Sequence, residues 1–146
     1  MNKVIGTPFE TSLRMLILLS VAKTEEMTEN MLCALDFITI YALDFGFSND
    51  NLHGYGSYRF GEFGSKKIVT KQALKELVID SLVNVKSTKN GFIYSISNLG
   101  KIYMRKFECF YADDYRITAS VVCDELCDKK EDEIIAMINK YALTSL

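Results

Sequence analysis

The chain is short of the residues from which most catalytic and cofactor sites are built. It contains one histidine and one proline, and none of its glycines follows the Walker or Rossmann spacing. Gly54, Gly56, Gly61 and Gly64 do not follow a hydrophobic strand, so they predict no nucleotide cradle. His53 has acidic residues near it in the sequence, but no spacing fixes an acid–base geometry. We therefore expect a protein without enzymatic activity, cofactor or metal.

Long apolar runs and low-complexity segments are also scarce. The most apolar stretch, residues 13–22, is too short to cross a bilayer, and no secretory signal is recognisable. Hydrophobic residues nevertheless make up 49% of the chain and aromatic residues 12%, which is enough for a packed core. We therefore expect one compact cytoplasmic domain.

The cysteines allow two interpretations. Cys33, Cys109, Cys123 and Cys127 have no secretory context, so reduced cysteines in a core are the default. Cys123 and Cys127 would share one face of a helix and could ligate a metal, but the chain lacks a second pair of ligands at suitable spacing.

Residues 65–106 carry the clearest structural pattern, which reads as helix, strand, tight turn, strand and helix. Thr70 is a candidate cap of the first helix. The apolar stripe of this helix consists of Ala73, Leu74, Leu77, Val78 and Leu82. Residues 83–86 and 92–96 alternate as strands around a turn at Thr88–Gly91, and Ser97 or Asn98 caps a helix that runs through Lys106. This pattern predicts the back half of a winged helix-turn-helix.

Charge is distributed unevenly along the chain. The net charge is −2, but residues 65–106 hold nine basic and two acidic residues, a net charge of +7. Residues 1–64 carry −4 and residues 107–146 carry −5. A basic centre therefore lies between two acidic flanks, although charges that cluster in sequence need not cluster in space.

The segments before the basic centre predict two helices and an irregular stretch. Thr7, Pro8 and Glu10 form a capping box for a centrally buried helix that ends near Ala22, and residues 23–27 form a polar connector. Thr28 caps a second helix that ends at Gly46. Asp36 and Asp44 lie within that helix, and we expect them to be exposed or bonded to backbone amides.

Residues 47–64 alternate glycines with aromatic residues and predict a long loop. A short helix over residues 58–67 stays an open alternative, because Gly61 and Gly64 disfavour it. Residues 107–128 and 131–143 predict two further helices. The predicted fold is mostly α (α+β). Residues 1–107 form a winged-helix domain with its wing at 83–96, and residues 108–146 form a C-terminal helical extension packed on that domain.

A winged helix offers two kinds of contact. Its recognition helix can enter a major groove while the wing touches phosphates, or the same surfaces can bind protein. The candidate DNA-binding residues are Lys66, Lys67, Lys71, Gln72 and Lys75 on the helix side, with Lys86 and Lys89 on the wing. The total charge of −2 is low for an autonomous DNA-binding protein.

Several motifs resemble the middle component of the prokaryotic ABC-three component systems, which are predicted antiphage operons related to the Lamassu type. The motifs are residues 7–10 leading into 13–19, Leu35-Asp36-Phe37, residues 41–45, Asn51-Leu52-His53-Gly54, Gly61-Glu62-Phe63, residues 73–78, residues 91–94 and Gly100. Such proteins often have glycine before the first wing strand, where this chain has Ser81.

The resemblance implies a small non-enzymatic adaptor between an SMC- or Rad50-like ATPase and an effector. The adaptor would keep the effector silent until DNA is sensed, and double-stranded DNA and a second copy of the chain are further candidate partners. We expect a partner-binding loop that contains Leu52, His53, Tyr55, Tyr58, Glu62 and Phe63. The alternative is an autonomous winged-helix transcription regulator, which the basic centre favours.

Overall fold

The computed structural model describes residues 8–22, 26–52, 59–107, 109–126 and 128–144. These residues form six helices and a three-stranded antiparallel sheet. In chain order the elements are α1 (Pro8–Val21), β1 (Met27–Thr28), α2 (Glu29–Ile40), α3 (Arg59–Ile79), β2 (Val83–Thr88), β3 (Gly91–Ile96), α4 (Asn98–Met104), α5 (Phe110–Leu126) and α6 (Glu131–Thr144). The prediction of a mostly helical α+β fold is confirmed.

The sheet contains one strand that the sequence did not reveal. Its order is β1-β3-β2, so the short β1 pairs with the outer side of the hairpin, with Met27 opposite Tyr94. The expected polar connector over residues 23–27 is therefore wrong at Met27, whose side chain is buried. The predicted hairpin is confirmed, with Val83 opposite Ile96 and Thr88 opposite Gly91.

Helices α1 and α2 form the centre of the core. The side chains from Met15 to Leu19 of α1 and from Leu32 to Ile40 of α2 are buried around the whole circumference of each helix. This confirms the predicted central burial of the first helix, while its expected cap at Thr7 lies outside the described residues.

The second helix begins as predicted and ends earlier than predicted. Thr28 caps α2 by accepting a hydrogen bond from the backbone N–H of Met31. The helix ends at Ile40 rather than at Gly46. Residues 41–46 continue as turns instead, and Gly46 closes them at a φ of 81°.

Helix α3 is one continuous helix from Arg59, so the predicted start at the Thr70 cap is wrong. Thr70 is buried inside the helix, on the face that also buries Phe63, Leu74 and Leu77. These side chains recur at helical spacing and pack on the core, and this packing outweighs the low helix propensity of the glycines near the start. The same assignment moves residues 59–64 out of the predicted loop.

The end of α3 explains how Ser81 replaces the usual glycine. Ser81 adopts a φ of 64°, and the backbone N–H of Leu82 donates to the carbonyl of Leu77 at 2.9 Å. The N–H of Ser81 donates to the carbonyl of Val78 at 3.0 Å, which completes a Schellman cap. The helix end is thereby fixed despite the unfavourable side chain.

Helix α4 begins where predicted, and α5 and α6 cover the central helices. Ser97 caps α4 by accepting from the N–H of Gly100 at 2.9 Å. Helix α5 packs on α1 and α2, while α6 packs on α2. Among the described helices, none combines the length and apolar character needed to cross a membrane.

Candidate interaction surfaces

The outward face of α3 combines apolar and basic side chains. Ile68, Gln72, Lys75 and Ile79 follow the i, i+4, i+7, i+11 spacing of a single helical stripe, opposite the buried face. Ile68 is 71% exposed and Ile79 is 69% exposed. Lys71 is also exposed and flanks this stripe. We call these five residues the α3 face. It offers a ridge that combines hydrophobic contacts with positive charge.

Lys66 and Lys67 make contacts within the fold, unlike the lysines of the α3 face. The ammonium of Lys66 lies 3.8 Å from a carboxylate oxygen of Asp36, and its side chain is largely buried. The ammonium of Lys67 lies 5.0 Å from the centre of the Phe63 ring, in a cation–π contact. Of the candidate DNA-binding residues on α3, Lys71, Gln72 and Lys75 are therefore brought together on one exposed face, while Lys66 is engaged inside the fold.

The hairpin carries the two remaining candidate DNA-binding residues at its surface. Lys86 lies on β2, and Lys89 lies in the turn before Gly91. Both side chains are exposed, and the exposed ring of Phe92 follows the turn. The hairpin surface is thus basic with one large apolar side chain near its tip.

The expected partner-binding loop is only partly described. His53, Tyr55 and Tyr58 lie outside the described residues. Leu52 is half-buried against the core, and the backbone of Glu62 belongs to α3. Phe63 is buried, with its ring centre 5.4 Å from that of Phe37, so this side chain is part of the core.

An ionic cluster lies buried between four helices. Arg14 of α1 donates from Nε to Asp36 Oδ1 at 2.8 Å and from Nη2 to Asp36 Oδ2 at 3.3 Å. It also donates from Nη1 to Glu10 at 2.7 Å. Tyr111 and Tyr115 of α5 donate to Glu10 and Asp36 at 2.7 Å and 2.6 Å. With Lys66 from α3, the cluster ties α1, α2, α3 and α5 together.

Asp36 is fully buried, so the expectation of an exposed or backbone-bonded side chain is wrong. Burial alone would raise its pKa. The charges of Arg14 and Lys66 and the hydrogen bonds from Arg14 and Tyr115 nevertheless hold the pKa of Asp36 below its usual value. Burial raises the pKa of Tyr111 and Tyr115, and their carboxylate neighbours raise it further. At neutral pH the cluster therefore pairs the Arg14 guanidinium with a charged Asp36 carboxylate and neutral phenols.

The other predicted acidic residue of the second helix, Asp44, binds side chains as well. The hydroxyl of Tyr141 in α6 donates to Asp44 Oδ2 at 2.6 Å, and the amide of Asn51 donates to Oδ1 at 3.3 Å. Asn51 in turn accepts from the backbone N–H of Leu43 at 3.0 Å. These contacts hold α6 against the turns after α2, so the role of Asp44 is structural.

A family model described as ABC-three component (ABC-3C) system Middle Component 2 matches residues 4–146. The chain belongs to this family. The match spans the central helices, the hairpin and both C-terminal helices, and it confirms the resemblance to a middle component that the sequence motifs indicated. Neither the curated proteins nor the solved structures compared with the chain give a match.

This Middle Component 2 family member has a second exposed stripe, which was not predicted from the sequence. Phe110, Asp114, Ile117 and Val121 of α5 recur at i, i+4, i+7 and i+11, with Phe110 90% exposed and Ile117 66% exposed. We call these four residues, with the exposed Asp113, the α5 face. Its spacing was visible in the sequence, but the stronger buried stripe of the same helix concealed it.

A pocket of about 250 Å³ opens between β1, the start of α2 and the α5–α6 turn. Its apolar lining includes Met27, Met31, Ile93 and Leu126, and Lys129 and Glu131 are among its polar residues. Glu131 also accepts a hydrogen bond from Thr28. The pocket is large enough for one side chain or a small ligand.

The cysteines of the described residues differ in burial. Cys33 and Cys123 are buried, Cys109 is half-buried, and Cys127 lies outside the described residues. Burial raises the pKa of Cys33 to about 11, so this thiol is unreactive at neutral pH. Across the described residues no group of three or more potential metal ligands comes together.

Proposed function

We propose that the chain is a non-enzymatic adaptor of an antiphage complex. It would bridge an SMC- or Rad50-like ATPase and an effector, as the Lamassu-related systems suggest. The observation that carries the proposal is family membership as a middle component of a multi-component system, together with two exposed, partly apolar faces on different helices. An adaptor needs two separate contact surfaces, and contiguous exposed apolar groups are typical of such surfaces.

The two faces support a bridging role because they differ in chemistry. The α3 face is basic through Lys71 and Lys75, whereas the α5 face is acidic through Asp113 and Asp114. Charge of opposite sign favours different partners and rejects the wrong one. The buried ionic cluster joins the helices that carry the two faces and holds them in a fixed relation.

The order of elements supports the assignment of a winged helix. A helix, a short strand, two further helices and a hairpin follow one another, and β3 lies between β1 and β2. In this assignment α3 is the recognition helix and the hairpin is the wing. DNA held by the complex would then contact Lys71, Gln72, Lys75, Lys86 and Lys89.

A tagged pull-down from the native host, followed by mass spectrometry, tests the adaptor proposal. We expect an ATPase of the SMC type and an effector to be recovered with the tagged chain in fixed ratio. A variant with Ile68→Ser and Ile117→Ser, one change on each face, should recover less of both partner proteins than the unaltered chain. Recovery of the chain alone, with both proteins expressed, would contradict the proposal.

The second candidate function is an autonomous DNA-binding transcription regulator, which the exposed lysines of α3 and the hairpin favour. Purified protein would then bind DNA with an affinity that falls by about 0.9 log units per log unit of salt for each phosphate contact. Lys86→Glu with Lys89→Glu would weaken binding equally at all DNA sequences. The exposed Lys101→Glu with Lys106→Glu on the α4 side is the matched control. Salt-independent or absent binding would exclude this function.

A further inference from the structure

The α3 and α5 faces match each other in length and pattern. Each spans twelve residues, from Ile68 to Ile79 and from Phe110 to Val121, which places its first and last residues about 16 Å apart along a helix. Both faces follow the same i, i+4, i+7, i+11 spacing, and both begin and end with a large exposed apolar side chain. Two helices with such stripes can pack along their whole shared length.

The two faces are also complementary in charge. Lys71 and Lys75 lie along the edge of the α3 face, and Asp113 and Asp114 lie on both edges of the α5 face. Asp113 is paired with Arg116 at 3.0 Å, but this pair is exposed and therefore weak. Lysines of one copy would meet aspartates of another between apolar side chains at the two ends of the contact, and such charge complementarity favours one specific partner.

Within one chain the two faces cannot contact each other. Both α3 and α5 pack on α1 and α2 through the sides opposite these faces, and the ionic cluster fixes that packing. The complementary surfaces therefore point away from the core of the same molecule. A contact between them requires two molecules.

We infer that the chain associates with a second copy of itself, with the α3 face of one copy packed on the α5 face of the next. The contact is heterologous, since each copy uses a different surface, and repeated contacts form a ring or an open chain. Three helical turns on each side make a small interface, so the association is reversible and depends on concentration. A copy bound on α3 excludes DNA from the same face.

Paired variants test this arrangement by sedimentation of the full chain, freed of nucleic acid. Ile68→Ser with Ile79→Ser disables the α3 face, and Phe110→Ser with Ile117→Ser disables the α5 face. All four side chains are exposed, so the variants should fold normally. Each variant alone should be monomeric where the unaltered chain associates. Mixed together, the two variants should form a one-to-one dimer that grows no further, because one intact face of each kind remains. Leu99→Ser with Ile102→Ser, also exposed but on α4, is the matched control and should associate normally.

The charge contribution has its own test in the same measurement. Lys71→Glu with Lys75→Glu should weaken self-association at least about tenfold, and adding Asp113→Lys with Asp114→Lys should restore it to within about threefold.

An unaltered chain that stays monomeric at high concentration would overturn the inference, as would a mixture of the two face variants that stays monomeric. If the unaltered chain is monomeric and the α5 variants recover less ATPase or effector in the pull-down, the α5 face binds another protein instead of a second copy. A second copy and the partners of the adaptor would use the same two faces, so they compete for them. Sedimentation of the chain alone and the pull-down of other proteins are separate measurements, so self-association and the adaptor role can still fail independently.

Discussion

Arg14 of α1 holds Asp36 of α2 through two nitrogens of its guanidinium group, at 2.8 Å and 3.3 Å, and both side chains are buried. This bidentate geometry is the strongest form of a protein ion pair. Removing one partner leaves the other buried charge without its closest counter-charge, which costs much more than losing an exposed pair. The pair therefore fixes how the two central helices meet.

Arg14→Met should lower the free energy of unfolding by about 3–5 kcal/mol, because the buried Asp36 and Glu10 lose their hydrogen bonds to the guanidinium and Asp36 keeps only the more distant Lys66 ammonium. The double variant Arg14→Met with Asp36→Leu should lose less than the sum of the two single variants. Urea denaturation measures both. Arg116→Met is the control, since Arg116 pairs with Asp113 at the surface, and it should cost less than about 1 kcal/mol. Equal losses for Arg14→Met and Arg116→Met would refute the role of the buried pair.

The pKa shifts of the cluster predict that stability falls at both extremes of pH. The pKa of Asp36 is lowered by folding, so its contribution is present above about pH 4 and is lost as the pH falls further. The pKa of Tyr111 and Tyr115 is raised by folding, so their contribution is complete below about pH 10 and is lost as the pH rises.

Urea titrations between acidic and alkaline pH measure this dependence. Tyr111→Phe with Tyr115→Phe should flatten the alkaline loss and leave the acidic loss in place, because the phenols no longer titrate. An alkaline loss of unchanged steepness in this double variant would show that other groups cause it.

The buried face of α3 gives a second stability prediction. Leu74→Ala or Leu77→Ala should lower the free energy of unfolding by about 2–5 kcal/mol, since both side chains are buried in the core. Ile68→Ala on the opposite side of the same helix should change it by less than about 0.5 kcal/mol. Denaturant titration of the three variants checks the assignment, which similar losses on both sides of the helix would refute.

Alanine substitution at two helical glycines should change the stability of the fold in opposite directions. At Gly100 in α4, an added Cβ would lie 2.1 Å from the carbonyl oxygen of Leu82 and 2.9 Å from Ile96. Gly100→Ala should therefore destabilise the fold by about 1–3 kcal/mol. At Gly64 in α3 an added Cβ meets no atom within 4 Å, and alanine should stabilise the helix by about 0.5–1 kcal/mol. Thermal unfolding of both variants tests the pair, and a shift in the same direction would contradict the close approach at Gly100.

Local signals predicted the hairpin region well. Asn90-Gly91 marks the turn, and Ser97 marks the cap of α4, because both act through neighbouring backbone groups. The start of α3 could not be predicted in this way. Its glycines disfavour a helix, and packing on the core, such as that of Phe63 against Phe37, outweighs them.

Long-range contacts account for the other differences between prediction and structure. Strand β1 has two residues and exists because it pairs with β3, which no local pattern reveals. Asp36 meets Arg14 across 22 positions of sequence, so its spacing in the helix gave no sign of burial. The family resemblance rests on sequence motifs rather than on these contacts, so it does not depend on the burial of Asp36.

As an adaptor, the chain would join two other proteins. Co-expression of the ATPase and the effector with and without the chain, followed by native mass spectrometry, tests it most directly. We predict that the two proteins form one complex only when the chain is present, and that the complex contains the chain in fixed ratio. An ATPase–effector complex of the same composition and stability without the chain would contradict the adaptor proposal.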